Sequence, residues 1–322
     1  MKFFIIPCLL TVLYLSLQLI VKQTQNDLTL LAIRPTTFSF SPAPYPIVKS
    51  VLAAKSNALQ KSQVSVSAKA YAIMDDESKV VIAVKNEKTR FPMASTAKIM
   101  TAIIGLEQFS LDSVLTVRSS SISGSIVGLV PGDAFYFRDL LYAMLLPSGN
   151  DAALTIADNY PGGQDAFIAA MNKKAAELSL SATHFADPSG IGEDNTTTVI
   201  DLAWLASLAI KNDVIADIVK TKRATITNVS KSKIYPLNNL NKLLGTDGVN
   251  GIKTGFTDEA GGVLTTSQKV ENHSFIIVVM GSKERFADTQ ELLQSITKNV
   301  TFQNVALPFI QSSRFSQPRH KP

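Results

Sequence analysis

Phe91-Pro92-Met93-Ala94-Ser95-Thr96-Ala97-Lys98-Ile99-Met100-Thr101-Ala102 sets a serine and a lysine three residues apart at the head of an apolar pattern. Ile99, Met100, Ala102, Ile103 and Leu106 recur at helical spacing, and Pro92 supports a helix start near Ser95. Residues three apart on a helix share a face, so the spacing places the Lys98 amine beside the Ser95 hydroxyl. Serine is a poor nucleophile at its own pKa and needs an adjacent base. Lysine becomes one when desolvation and neighbouring positive charge depress its pKa. The pair therefore suits covalent catalysis.

A Ser-x-x-Lys spacing alone is weak, because about one arises by chance in a chain of this length. A second stands at Ser230-Lys231-Ser232-Lys233, in a polar stretch closed by Pro236, where no apolar helix follows to bury and deprotonate a lysine. What distinguishes Ser95 is the order of triplets behind it, Ser148-Gly149-Asn150 and then Lys253-Thr254-Gly255. The first follows Pro147 between helical patterns at 140–146 and 152–157, which predicts a tight loop between two rigid elements. Taken alone, Asn150 or Asp151 reads as a helix cap. Beside the other motifs, Ser148 is placed to relay protons between Lys98 and a leaving group, and Asn150 to hold a substrate amide. The second triplet lies in a strand-like run at 249–256 whose glycines let a peptide approach closely. An isolated lysine there would merely guard a sheet edge. In this set, Lys253 and Thr254 suit a terminal carboxylate, and the Ser95 and Phe256 N–H groups suit an oxyanion.

In that order the three triplets are the signature of penicillin-recognising serine enzymes. Over about residues 66–302 the chain resembles the D-alanyl-D-alanine carboxypeptidases, the low-molecular-mass penicillin-binding proteins. The blocks 91–102, Leu145-Leu146-Pro147-Ser148-Gly149-Asn150-Asp151-Ala152-Ala153 and Gly251-Ile252-Lys253-Thr254-Gly255-Phe256-Thr257 carry the resemblance. Met171-Asn172, Asp187-Pro188-Ser189-Gly190 and Asn241-Lys242-Leu243-Leu244 are similar to its lesser landmarks. The resemblance implies an α/β protein of the β-lactamase/transpeptidase-like fold, with a five-stranded, mostly antiparallel sheet flanked by helices and a helical lobe. It implies Ser95, Lys98 and Ser148 as catalytic residues, and Asn150, Lys253, Thr254, Gly255 and Phe256 as substrate-binding ones. The implied substrate is a peptidoglycan stem peptide that loses its last D-alanine through an acyl-enzyme, with β-lactams as inhibitors and no cofactor or metal. Two features depart from the pattern. Many relatives continue into a β-rich domain and an amphipathic membrane helix where this chain has a polar tail, and Ala260-Gly261-Gly262-Val263 lacks the aromatic often found after the third motif.

Competing readings are a class A-like β-lactamase and a non-catalytic, anchored receptor for wall peptides or β-lactams. The nearest counterpart of the lactamase glutamate loop, Glu177-Leu178-Ser179-Leu180-Ser181, falls in a predicted helix and ends in serine where asparagine is expected. A pure receptor has no need of a nucleophile beside a base. His184 and His273 have no nucleophile-elbow serine to serve and read as surface or strand-end histidines.

At 322 residues with 46% apolar content, the chain has room for one large globular domain. The net charge of +5 comes from scattered lysines and arginines, which argues against a nucleic-acid partner. The single cysteine, Cys8, lies in the N-terminal apolar run, so a disulfide, a thiolate nucleophile and a Cys-ligated metal are excluded from the folded part. Three histidines without His-Glu-x-x-His spacing make a metal site unexpected. Residues 3–21 are uncharged and long enough to cross a bilayer, with no small-residue cleavage site after them. They read as an uncleaved anchor in preference to a cleaved signal, with Lys2 inside and the rest of the chain exported, or secreted if cleavage occurs.

The expected organisation is an anchor or signal at 1–24, an extended linker at 25–64 with four prolines and a short helix near 51–59, a catalytic domain at 65–302, and an unstructured tail at 303–322. Within the domain the pattern predicts a hairpin from 70–74 and 80–84, and helices at 140–146, 152–157, 167–178 and 202–210. Strands at 262–266 and 275–280 and a final helix at 287–300 complete it.

Overall fold

The computed structural model describes residues 45–48, 65–118, 123–270 and 273–303. Its centre is a sheet of strands β1 Ala70–Asp75, β2 Val81–Lys85, β3 Val249–Thr257, β4 Gly261–Val270 and β5 His273–Ser282. They lie in the order β3-β4-β5-β1-β2, and every neighbouring pair is antiparallel. The helices are α1 Lys98–Gln108, α2 Phe137–Leu145, α3 Asn150–Asp158, α4 Gly163–Glu177, α5 Val199–Ala209, α6 Asp213–Val219 and α7 Arg285–Asn299.

The sheet separates two cores by the period-two alternation of strand side chains. Ile276, Val278 and Met280 of β5, with Ala70, Ala72 and Met74 of β1, face the lobe formed by α1 to α6. Phe275, Ile277 and Val279, with Ile73 and Leu264, face Leu292, Leu293 and Ile296 of α7. Because β5 is covered on both faces, it reads as an unbroken apolar run. In the lobe α1 is nearly enclosed, and Ile99, Met100, Ala102 and Ile104 are all buried.

The sequence pattern placed both strands of the first hairpin, the last three strands and the main helices within a few residues of their observed bounds. It did not show α6, which Asn212 caps by accepting from the Val214 and Ile215 N–H groups. It also missed two short hairpins, Val114–Thr116 with Ala134–Tyr136 and Arg223–Thr227 with Ile234–Asn238. Tyr45–Val48, inside the expected linker, is a strand paired antiparallel with Val300–Gln303, where the last helix and the tail were expected to meet. No local pattern encodes backbone pairing across so long a stretch of sequence. The apolar run at 3–21, the short helix near 51–59 and residues 304–322 lie outside the described residues. Among those described, no helix is long and apolar enough to cross a membrane.

Candidate active site

Ser95 does not sit in the α-helix itself. Phe91–Pro92 pairs with Thr196–Thr197, and Met93 donates its N–H to the Asn195 carbonyl at 2.8 Å. Ala94 then takes φ +46°, and Ala94–Ala97 forms a 3-10 turn from which α1 departs at Lys98. In a 3-10 turn, residues three apart eclipse one another, so Ser95 and Lys98 align more closely than in an α-helix. Lys98 Nζ is 2.9 Å from Ser95 Oγ.

Lys98 is fully buried, while Ser95 is only partly covered and remains reachable. Two acceptors hold the amine besides the serine, Asn150 Oδ1 at 2.7 Å and the Ser189 carbonyl at 2.7 Å. A neutral amine has two N–H groups and one lone pair. Spending both N–H groups on these acceptors turns the lone pair toward the Ser95 hydroxyl. Burial pushes Lys98 down to about 7, against the opposing pull of the Asp187 and Asp151 carboxylates. At neutral pH, a large fraction is therefore the free base.

Ser148 heads the turn into α3 at φ +67°, a conformation unusual for a residue with a side chain. Its buried hydroxyl has no hydrogen-bond partner among the described residues. Asn150 is committed at both ends, because Oδ1 accepts from Lys98 and Nδ2 donates to the Ser123 carbonyl at 2.7 Å. This arrangement has Asn150 holding the Lys98 amine and the Ser123 carbonyl, at the position where the sequence expects a group that holds a substrate amide. Asp151 goes beyond capping. Its carboxylate accepts from the N–H groups of Val127, Gly128 and Leu129 at 2.8–3.1 Å, fastening the loop beside the site.

Strand β3 closes the other side. A Cβ on Gly255 would lie 3.2 Å from the Ser95 nitrogen and 3.1 Å from Ala94 Cβ, so a larger residue would need this turn to give by a few tenths of an ångström. That contact sets Gly255, the residue before Phe256, against the Ser95 peptide at the strand edge. Lys253 is buried with no ion pair among the described residues, donating to the Thr254 carbonyl at 3.0 Å. Its pKa falls well below the usual lysine value through burial, with Lys98 and Arg285 adding repulsion. Thr254 is buried beside it, and Phe256 is 59% exposed.

Arg285 was not found from the sequence. It opens α7, its stem runs over Gly262, and its guanidinium lies 5.9 Å from the Phe256 ring centroid. Its buried Nε has no partner among the described residues. A lone arginine at a strand-to-helix corner carries no spacing that would mark it. Lys253 and Arg285 set two basic groups at this edge, and a carboxylate ligand there would favour the protonated form of each.

The decoys fall elsewhere. Ser230 and Ser232 share a hydrogen bond in an exposed hairpin turn, and Lys233 pairs with Asp133. Glu177 ends α4 and pairs with Lys173 and Lys174. His184 is exposed and bridges to Thr196, and His273 begins β5 beside Asp75.

The D-alanyl-D-alanine carboxypeptidase family of S11 peptidases matches residues 56–284. The chain belongs to this family. The D-alanyl-D-alanine carboxypeptidase DacF of Bacillus subtilis is 31% identical over 251 residues, 74% of this chain and 64% of its own length. That is less than two thirds of the relative. A D-alanyl-D-alanine endopeptidase of Escherichia coli is 30% identical over 256 residues, covering 77% of this chain and 83% of that one. The crystal structure of the Streptomyces K15 DD-transpeptidase aligns with a TM-score of 0.69 at 32% identity, covering 73% of this chain and 98% of that one. The family's relatives thus span three activities of one serine D-Ala-D-Ala peptidase chemistry, and the fold is the penicillin-binding fold of the transpeptidase.

Proposed function

We propose that the protein is a serine D-Ala-D-Ala carboxypeptidase that trims the terminal D-alanine from peptidoglycan stem peptides. The observation that carries this reading is Ser95 Oγ held 2.9 Å from a buried, readily deprotonated Lys98. The basic side chains of Lys253 and Arg285 beside them match a peptide that ends in a free carboxylate, whose charge would hold both protonated. Ser95 passes its proton to Lys98 as Oγ attacks the penultimate carbonyl, and the Ser95 and Phe256 N–H groups receive the oxyanion. Ser148, buried with its hydroxyl unengaged, returns the proton to the departing D-alanine amine as the C–N bond breaks. Water then cleaves the ester and frees Ser95. β-Lactams acylate the same hydroxyl and deacylate slowly, because Glu177, the nearest counterpart of the lactamase glutamate, is bound up in surface ion pairs.

Mass spectrometry of muropeptides tests the reading. The expected result is loss of one D-alanine from pentapeptide stems, abolished in Ser95→Ala together with labelling by a fluorescent penicillin. Cleavage confined to cross-linked dimers would assign an endopeptidase, and joining of stems a transpeptidase. Release unchanged in Ser95→Ala overturns the serine mechanism. We also propose that residues 3–21 anchor the chain with its catalytic domain outside the membrane, supported by their uncharged length. Recovery in the membrane fraction, with the domain open to external protease in spheroplasts, is the expected outcome.

A further inference from the structure

The loop from 186 to 195 touches both halves of the nucleophile pair, yet none of the three motifs includes it. At its centre Asp187 is half-buried and accepts six hydrogen bonds. Oδ1 takes the N–H groups of Ser189 and Gly190 at 2.7 Å, the Ser189 hydroxyl at 2.7 Å and the Ile191 N–H at 3.4 Å. Oδ2 takes the Gly192 N–H at 2.9 Å and Asn195 Nδ2 at 2.6 Å. Winding four consecutive residues, Ser189 to Gly192, around one carboxylate fixes where each carbonyl points. The Ser189 carbonyl points at Lys98 Nζ, 2.7 Å away, and the Pro188 carbonyl accepts from Thr101 Oγ1 one turn along α1. Gly190, at φ +77°, lies so close to Ala94 that a Cβ there would fall 1.9 Å from its carbonyl oxygen. The same wrap therefore braces the turn that carries Ser95.

We propose that Asp187 is the positioning residue of the catalytic base: its carboxylate aims the Ser189 carbonyl at Lys98 and so turns the lysine lone pair onto Ser95. The inference rests on Lys98 acting as that base. Without the Ser189 carbonyl, one amine N–H loses its acceptor and the lone pair is free to rotate away from the hydroxyl. Three charged groups face Lys98, namely Asp187 from this loop, Asp151 from α3 and Lys253 from β3. Asp187 is thus also the nearer of two negative charges in effect, and its pull on the ammonium form exceeds that of Asp151. Burial works to raise Asp187, but the hydrogen bonds from Ser189, Gly192 and Asn195 keep its pKa below the usual carboxylate value. It is ionised throughout the range in which Lys98 titrates.

The test is the pH profile of penicillin acylation in the full chain, followed by mass adduct or fluorescence. In Asp187→Asn the maximal rate should fall about tenfold through mispositioning. The acid limb should also move to lower pH by about half a unit, because a charge that favours protonated Lys98 is gone. A merely structural residue would lower the rate and leave the limb in place, and an unmoved limb overturns the proposal. If Asp187→Asn does not fold, Ser189→Ala keeps the carbonyl and the carboxylate charge but removes one donor to Asp187. The limb should then move up by a few tenths of a unit, and an unmoved or downward limb overturns the proposal. A wild-type chain that forms no adduct at all overturns the reading of function along with this one, which separates the two failures.

Discussion

A buried lysine is usually a liability, because desolvating an ammonium ion without a counter-ion costs more than its hydrogen bonds return. Here the cost falls on the protonated form and leaves a base near neutrality. Lys98 is held down to about 7 chiefly by burial. Acylation of the wild type by a fluorescent penicillin should therefore rise with pH through about 7 and level off above it, as the amine loses its proton. A rate flat from pH 5.5 to 9 would rule out Lys98 as the base. Gly190 supplies a second prediction. With φ +77° and no room for a Cβ against the Ala94 carbonyl, Gly190→Ala must push the 187–192 loop away from the nucleophile turn. Acylation should drop at least about tenfold, with stability lowered by about 2 kcal/mol in urea unfolding. At this scale the pairing of Ser95 with Lys98 was legible because three-residue spacing survives in either type of helical turn. Arg285 and the Ser189 carbonyl were not, since neither a lone cation nor a backbone oxygen leaves a spacing in the sequence.

Among the elements, the short ones were hidden and the long ones were plain. Strand β5 and helix α1 each bury an unbroken or periodic apolar face, whereas α6 has seven residues and is held by its cap and its packing against β3. The loop beside α3 shows the same dependence on tertiary contacts. Its Val127, Gly128 and Leu129 N–H groups all end on Asp151, while Ser123 and Ser125 present carbonyls to Asn150. The sequence marked Asp151 as a cap at most, because its partners lie more than twenty residues upstream. Asp151→Ala strands these donors, and each unsatisfied group costs about 1–3 kcal/mol. The expected result is a loss of roughly 3 kcal/mol in stability together with new protease cuts within 123–132. Full stability in that variant would mean that water replaces the carboxylate without penalty.

The whole molecule exists to bring together what the chain holds far apart. The sheet carries Lys253, the 3-10 turn carries Ser95, the head of α3 carries Asn150, and the corner into α7 carries Arg285. Their meeting depends on β3 passing against the turn at Gly255. No local pattern encodes that crossing, so the placement of the motifs in one cleft was legible only through family resemblance. The assembled site leaves Lys98 and Lys253 buried without ion pairs among the described residues, which has a consequence for the stability of the entire fold. Both have folded-state pKa values below the ordinary 10.5 of the unfolded chain, Lys98 at about 7. Below pH 7 the folded and unfolded states both hold the Lys98 proton, and its contribution does not change with pH. Between about 7 and 10.5 the unfolded chain keeps a Lys98 proton that the folded one has shed, so stability rises with pH, by up to about 1.4 kcal/mol per unit, and the lowered pKa of Lys253 acts in the same direction. Tyr71 and Tyr235, whose pKa burial raises, act in the opposite sense only above about pH 10. Urea midpoints measured from pH 7 to 9.5 should climb for the wild type, and the climb should shrink by at least about half when both lysines are replaced by methionine. A level wild-type profile would show that the folded cleft keeps both lysines protonated, and with them no free base for Ser95.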